Sequence, residues 1–391
     1  MAKASPLNMV LVVSTAVLFF TAASRELHPQ VVAHQNRVRI YFVAADEVLW
    51  DYAPSGQNEA MGRPFDDFEN VYMRPSAHRV GRVYKKAVYR EYTDAKFQRL
   101  ADRPTEEYAG ILGPFLRGEV GDTIKVVFKN NASRPYSMHP HGLLYSKGSE
   151  GAAYNDGKKD EDKTGDAVPP GATHIYIWEI PERAGPGPGD PSSVIWLYHS
   201  HVDEMRDVAV GLFGAIIVTA RGKALEDGRP ADVDREFVNV MITLNENESW
   251  YLDDNIRKFT TDPNAVNKSE SIPAGHDGSP VGSLGKGFAD TNLRNTINGY
   301  MYGAMPMMTM RKGDRVRWYL ATLGDVNNFH TPHWHGNNVL QNGHRTDVLA
   351  LSPAQMETVD MVPDNPGTWL FHCHISDHMM GGMVTRYEVL P

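Results

Sequence analysis

Trp369-Leu370-Phe371-His372-Cys373-His374-Ile375-Ser376-Asp377-His378-Met379-Met380-Gly381-Gly382-Met383 contains the only cysteine of the chain. The apolar, aromatic run leading into His-Cys-His predicts a buried strand, in which residues two apart share a face and the one between points the other way. His372 and His374 therefore look one way and Cys373 the other. On the cysteine side His378 and then Met383 follow after short loops, enough chain to turn back on the thiolate. One Cys, His ligands and a weak axial Met describe a blue-copper electron-transfer site, provided a second histidine arrives from elsewhere. For Cys373 alone a buried free thiol would be the plain reading. Three histidines and a methionine at these intervals displace it.

At 391 residues the chain has room for about two or three domains. Its composition, 41% apolar with a net charge of −9, is that of a soluble globular protein, too acidic for a nucleic-acid surface and better suited to cationic substrates. A single cysteine leaves no internal disulfide, so the compartment is read from the N-terminus. Lys3, the apolar run from Met9 to Phe20 and the small residues Thr21-Ala22-Ala23-Ser24 make residues 1–24 a signal peptide. No twin arginine precedes the run, which predicts Sec-type export to a secreted or periplasmic location. The run is shorter than the ~20 residues of a span, so no stable membrane span is expected after cleavage. Asn131, Asn247 and Asn267 head glycosylation sequons that matter only in a eukaryotic host.

Short runs rich in Val, Ile, Tyr and Trp alternate with Gly/Pro/Asp clusters and predict an all-β sandwich architecture. Strands are expected over Val38 to Val43, Thr123 to Phe128, His174 to Ile180, Val194 to Tyr198, Leu212 to Thr219, Phe237 to Leu244, Arg315 to Leu320 and Val384 to Val389. Arg183 to Pro191, with three glycines and three prolines, is loop.

An internal repeat sets the domain count. Gly121-Asp122-Thr123-Ile124 recurs as Gly313-Asp314-Arg315-Val316, His139-Pro140-His141-Gly142 as His333-Trp334-His335-Gly336, and Trp196-Leu197-Tyr198-His199-Ser200-His201 as Trp369-Leu370-Phe371-His372-Cys373-His374. The same motifs in the same order predict two copies of one sandwich, residues 25–220 and 236–391, joined by a linker over 221–235. Aligning the copies sets Ser200 opposite Cys373, Met205 opposite His378, Val210 opposite Met383 and Tyr136 opposite His330. A hydroxyl and an aliphatic side chain make no copper-thiolate centre, so the blue site is expected in the second copy alone.

The repeats carry four His-x-His pairs: His139/His141, His199/His201, His333/His335 and His372/His374. Each sets two imidazoles on one strand face, which suits close-set metals that prefer nitrogen. Eight imidazoles exceed the needs of one ion and fit a cluster of about three. His330 is left as the second imidazole of the blue site. Zinc competes for Cys and His but is satisfied by four ligands. The surplus imidazoles and the axial Met favour copper.

These motifs resemble the copper signatures of the multicopper oxidase family. Glu47-Val48-Leu49-Trp50-Asp51-Tyr52, Gly110-Ile111-Leu112-Gly113-Pro114 and Ile297-Asn298-Gly299-Tyr300-Met301-Tyr302-Gly303 are similar to its ceruloplasmin and hephaestin members, whose domains are cupredoxin sandwiches. The resemblance implies two cupredoxin-like Greek-key domains and four copper ions per active site. Type 1 copper would be held by His330, Cys373, His378 and Met383, and type 2 by His139 and His333. The type 3 pair would fall to His141, His199, His201, His335, His372 and His374. It implies oxidation of a small reducing substrate or metal ion such as Fe(II), coupled to reduction of dioxygen to water, with electrons passing from Cys373 through His372 and His374. It further implies a homotrimer with the cluster between neighbouring chains.

Asp156, in Tyr154-Asn155-Asp156-Gly157, resembles in position the laccase aspartate beside the type 2 copper, against a plain turn-forming Asp-Gly. Asp377, next to His378, and Asp290, in Phe288-Ala289-Asp290-Thr291-Asn292, resemble the iron-binding carboxylates of ceruloplasmin, although Asn295 stands where that family segment has His. Calcium at the acidic loop of Asp160, Glu161, Asp162 and Asp166 is a further implication, set against a solvated charged loop. The methionines from Met301 to Met310 suit either Cu(I) handling or core filling. A laccase-type phenol oxidase is the alternative reading. A copper nitrite reductase fits less well, because its blue site lies in the first domain and it lacks the type 3 pair. A noncatalytic copper-binding protein would not need to keep every ligand.

Overall fold

The computed structural model describes residue 1 and residues 36–103, 105–159, 163–272, 286–324 and 329–391. The signal peptide expected over 1–24, Met1 aside, lies outside them, as do Asp160, Glu161 and Asp162. The first half carries strands β1 (Val38–Asp51), β2 (Val83–Tyr92), β3 (Leu116–Glu119), β4 (Thr123–Asn130), β5 (His139–Pro140), β6 (Leu144–Tyr145), β7 (Thr173–Glu179), β8 (Ser193–His199) and β9 (Phe213–Thr219). The second carries β10 (Arg235–Asn245), β11 (Leu293–Ile297), β12 (Met308–Arg311), β13 (Val316–Ala321), β14 (Pro332–Trp334), β15 (Val339–Gln341), β16 (His344–Thr346), β17 (Met356–Met361), β18 (Gly367–Cys373) and β19 (Val384–Leu390). Among the described residues five short α-helices intervene: α1 (Asp67–Met73), α2 (Glu204–Val210), α3 (Leu252–Phe259), α4 (Phe288–Thr291) and α5 (Ser376–Met380).

Period-two patterning builds these strands. In β4, Ile124, Val126 and Phe128 are buried while Lys125 and Lys129 point outward. All eight runs expected from sequence fall within strands, give or take an end residue, and the first extends to Asp51. β2 escaped the pattern because it carries Lys85 and Lys86 side by side. Lys86 is fully buried and is paired with Glu246 and Tyr52.

The repeat is visible in the sheets. The first half has sheets ordered β2-β1-β4-β7-β6 and β3-β9-β8-β5, and the second has β11-β10-β13-β17-β15-β16 and β12-β19-β18-β14. Position for position these are the same two sheets, with one further edge strand, β16, in the second half. Each half mixes parallel pairs, β1 with β4 and β10 with β13, among antiparallel ones. Parallel pairing needs crossover connections, which here pass from one sheet of the sandwich to the other. The fold is mostly β, two cupredoxin-like Greek-key sandwiches.

One core cluster fills the first sandwich around Trp178, Phe128 and Tyr176 and takes in Tyr251 of the second half. The other joins first-half residues Ile195, Leu197, Ala215 and Ile217 to Phe237, Trp318 and Phe371 of the second half, so the sheet carrying β8 is packed against the second sandwich. Buried polar groups fix the register of that contact: Arg317 donates to Ser193 Oγ at 2.7 Å and Tyr319 Oη lies 2.7 Å from the same hydroxyl. Met301, Met305, Met308 and Met310 are 5% exposed or less and belong to this core, which favours the core-filling reading for those four, whereas Met307 of the same run is exposed.

Candidate metal centre

β18 ends at Cys373, and the alternation of the strand divides its last residues between two sites. Cys373 Sγ lies 3.6 Å from His378 Nδ1 and 4.0 Å from His330 Nδ1. The three donor atoms lie within 4.8 Å of one another. An ion bonded at ~2.0–2.3 Å to three donors in a plane separates them by roughly 3.5–4 Å, so the triad fits a metal of the blue-copper kind. His378 reaches the site from α5, which turns the chain back after His374. Met383 is fully buried beside it; its N–H donates to His378 O at 2.9 Å and its O accepts from Cys373 N at 3.1 Å.

Burial dominates the electrostatics of the triad. It pushes the Cys373 thiol up and holds His330 down to about 3, where the neighbouring His378 adds to the shift. His330 is thus a neutral imidazole, the form that ligates. The Thr331 N–H donates to Sγ at 3.3 Å, a contact that steadies a thiolate.

On the other face, His372 Nε2 meets His335 Nε2 at 3.0 Å, and the rings of His333, His335, His372 and His374 pack at centroid distances of 4.8–5.7 Å. The first half repeats this arrangement. His141 Nε2 meets His199 Nε2 at 3.0 Å, and His139 and His201 complete a quartet. Two nitrogens sharing one ion at ~2.0–2.1 Å sit about 3 Å apart, so the close pair of each quartet fits metal, and in the second half the donor atoms of His333, His335 and His372 lie within 4.8 Å of one another.

Backbone carbonyls select the tautomers. His139 Nδ1–H donates to Glu150 O (2.7 Å), His199 to Ser200 O (3.0 Å), His333 to Asp347 O (2.9 Å) and His372 to Cys373 O (2.8 Å). A carbonyl only accepts, so the proton sits on Nδ1 and the Nε2 lone pair is left for a metal. Burial, reinforced by neighbouring imidazoles, holds His141, His199 and His372 down to about 4. Glu204, which the sequence analysis did not single out, stands 3.4 Å from His201 Nε2 and 3.8 Å from His199 Nε2. Its spacing of three residues after His201 was the available signal.

The ring contacts of each quartet run within its own sandwich. The second quartet opens on a surface cleft of about 600 Å³ lined wholly by second-half residues, among them His333, His335, Asp347 and Trp369.

The structure corrects part of the repeat alignment. Leu212 N–H donates to Asp207 O (3.1 Å) as Met383 N–H donates to His378 O, and Phe213 pairs with His199 as Val384 pairs with His372. Asp207 and Leu212, rather than Met205 and Val210, therefore stand opposite His378 and Met383. The difference arises because α2 has seven residues where α5 has five. Tyr136 does stand opposite His330, each in a matching bridge, to Val168 and to Leu351.

The carboxylates are placed less simply. Asp156 accepts from Lys158 N at 3.0 Å and pairs with Lys163 (2.9 Å) and Lys147 (3.1 Å). That backbone bond and the two ammonium groups hold its carboxyl well below the usual range. Asp290 accepts from Ser271 Oγ, Ile272 N and Gly287 N, the last at the start of α4. Asp377 lies in α5, and its charge and that of Asp290 both bear on the phenol of Tyr72. Asn295 is buried against α5, with its Nδ2 packed on Gly381. Asp166 is buried, and burial pushes its carboxyl up.

The chain is similar in sequence and in fold to known proteins. Mouse ferroxidase HEPHL1 is 39% identical over 354 residues, 90% of this chain and 29% of that protein. Human hephaestin is 38% identical over 370 residues (93% and 30%) and human ceruloplasmin 38% over 361 (90% and 31%). The chain spans about a third of the length of these relatives. In fold it matches a solved multicopper oxidase with a TM-score of 0.54 at 18% identity, covering 90% of this chain and 89% of that one. The blue copper oxidase from Nitrosomonas europaea gives 0.53 at 17%, covering 91% and 86%. Sequence profiles described as multicopper oxidase match residues 106–223 and 282–391, the segments that carry the two histidine quartets: the chain belongs to the multicopper oxidase family.

Proposed function

We propose that the protein is a copper-dependent oxidase that takes electrons one at a time from a donor and uses dioxygen as acceptor. The observation that carries this reading is the division at Cys373: its sulfur belongs to the His330–His378 triad, while both residues bonded to it, His372 and His374, belong to the quartet. Copper held by His330, Cys373, His378 and Met383 would supply one-electron acceptance at the triad, and copper at a cluster would supply four-electron reduction of dioxygen to water. For that cluster the family resemblance assigns type 2 to His139 and His333, and type 3 to His141, His199, His201, His335, His372 and His374. The polypeptide joins the two sites through the shortest covalent path available, one residue on either side of Cys373. The Nδ1–H donors to Glu150, Ser200, Asp347 and Cys373 carbonyls keep Nε2 free, and burial lowers His139, His199 and His372 below the ordinary imidazole range.

Each quartet supplies four imidazoles, and among the described residues the cleft beside the second is lined from the second half alone. This supports a homotrimer of two-domain chains, 25–220 and 236–391 joined by 221–235, in which the first-half quartet of one copy closes on the second-half quartet of the next. Light scattering tests it: a fully active monomer would end this reading.

The donor is proposed to be a metal ion such as Fe(II), with Asp290 and Asp377 on the approach to His378, and a phenol is the alternative. A signal peptide directing secretion belongs to the same reading. Asp156, tied to two lysines, is better suited to holding its turn than to delivering protons. The deciding experiment is a blue absorption band together with oxygen consumption on copper-loaded protein, compared across Fe(II), Cu(I), Mn(II), phenols and amines. A colourless protein that consumes no oxygen with any donor would refute the proposal.

A further inference from the structure

In the second sandwich a metal at Cys373 and His378 would tie the end of β18 to the loop beyond it. The first sandwich has the same strand end and the same loop but no thiolate, and another group ties them. Asp207, 1% exposed, stands in the place of His378. Its Oδ2 accepts from Ser200 Oγ at 2.7 Å and from the N–H groups of Val202 and Asp203 at 3.1 Å each. Its Oδ1 accepts from Trp250 Nε1 at 3.0 Å. Ser200 is the residue between His199 and His201, and its hydroxyl also accepts from Ser137 N at 3.1 Å, as Cys373 Sγ accepts from Thr331 N. Three of the four donors on this carboxylate belong to the segment from Ser200 to Asp203 and fix it, and with it the backbone from which His199 and His201 project. Trp250 is a second-half residue, clamped between the guanidinium groups of Arg134 and Arg206 at 4.4 and 4.5 Å from its ring.

We infer that Asp207 is a positioning residue for the first-half histidines, replacing with hydrogen bonds the ordering that copper gives the equivalent strand end of the second half, and that Trp250 couples this order to the packing of the two sandwiches. Burial raises the Asp207 carboxyl while its four donors lower it, so the group is paired rather than idle. The inference rests on the reading that these histidines hold copper.

The test uses the full copper-loaded chain and the variants Asp207→Ala, Asp207→Asn and Trp250→Phe. Loss of residues that orient metal ligands weakens metal binding by roughly 10–100-fold. Asp207→Ala should therefore lose its cluster copper to a weak chelator and retain the blue band of the Cys373 site at full intensity. Asp207→Asn, which keeps one oxygen acceptor in place, should retain most of the cluster copper. Trp250→Phe should fall between the two. In the metal-free chain, amide exchange of residues 200–203 should quicken about tenfold or more in Asp207→Ala, which reads the ordering without any copper. Full copper retention in Asp207→Ala, or unchanged exchange, would overturn the inference, as would a blue band that falls in step with the cluster copper. If the unsubstituted chain itself binds only the blue ion, the copper reading of the quartet fails, and the exchange result still decides the role of Asp207.

Discussion

His372 Nε2 and His335 Nε2 face each other at 3.0 Å, and burial keeps both imidazoles from taking up protons at neutral pH. The unfolded chain protonates histidine near 6.5. A folded value of about 4 for His372 and about 3 for His330 means that the unfolded state binds more protons as pH falls below about 6.5. Stability contributed by these neutral imidazoles is present above that pH and lost as pH falls towards 3–4. The metal-free protein should therefore show a melting temperature that drops through this window. The copper-loaded protein should hold its melting temperature to lower pH, because bound metal competes with protons for the same nitrogens. Superimposable profiles for the two forms would contradict the assignment of these imidazoles as ligands.

Replacing Cys373 with Ser removes the thiolate sulfur that contacts His330 and His378 and leaves the Thr331 N–H with an oxygen acceptor of nearly the same reach. The intense blue band and donor oxidation should vanish while the melting temperature of the metal-free chain changes little. A variant that stayed blue would place the thiolate-copper centre elsewhere.

Much of this site was legible because its chemistry is periodic. His372, Cys373 and His374 alternate on a strand, and the repeat showed which half lacks the thiolate. The long buried strand runs were legible for the same reason. What escaped depends on loop length and on partners distant in sequence. Asp207 and Leu212 were misaligned because α2 and α5 differ by two residues, a change that strand patterning cannot register. Lys86 reads as a surface residue until Glu246, 160 positions away, is seen beside it. Asp156 read equally well as turn-former or acid, and only the positions of Lys147 and Lys163 favour the turn.

Gly336 follows His335 with φ +72°, and a Cβ there would run into the Trp369 indole; Gly142 follows His141 with φ +74° and would meet Trp196 in the same way. The glycine of each His-x-His-Gly motif is thus required twice over, by backbone conformation and by the indole packed against it. Gly336→Ala should cost about 1–3 kcal/mol and tilt His335 out of the quartet. Its melting temperature and its cluster copper should fall together, while the blue band is affected less. A variant with wild-type stability and copper content would show that the strand end tolerates a side chain, and that the repeated glycine has another cause.

The donor prediction turns on Asp290 and Asp377. Asp290 already accepts three hydrogen bonds at the start of α4, so its removal by Ala would unsettle that helix as well as any cation site. Asn preserves an acceptor and removes the charge, which makes Asp290→Asn with Asp377→Ala the informative pair. Both charges act on Tyr72, and Asp377 immediately precedes His378, which supports testing the two carboxylates together as the field met by a divalent donor. Carboxylate oxygens are hard ligands that suit such an ion, whereas a phenol needs only contact with the His378 edge. The paired variant should therefore lower kcat/KM for Fe(II) by roughly 10-fold or more, the scale of a removed metal-orienting group, and leave a bulky phenol within about twofold. Glycerol or salt controls would not mimic this split, because screening acts on any cation while the variant acts at one place. If Fe(II) oxidation is untouched, the carboxylates serve only to cap α4 and the loop before His378. If both donor classes fall together, the change has reached the copper site itself, and the donor is better sought among phenols.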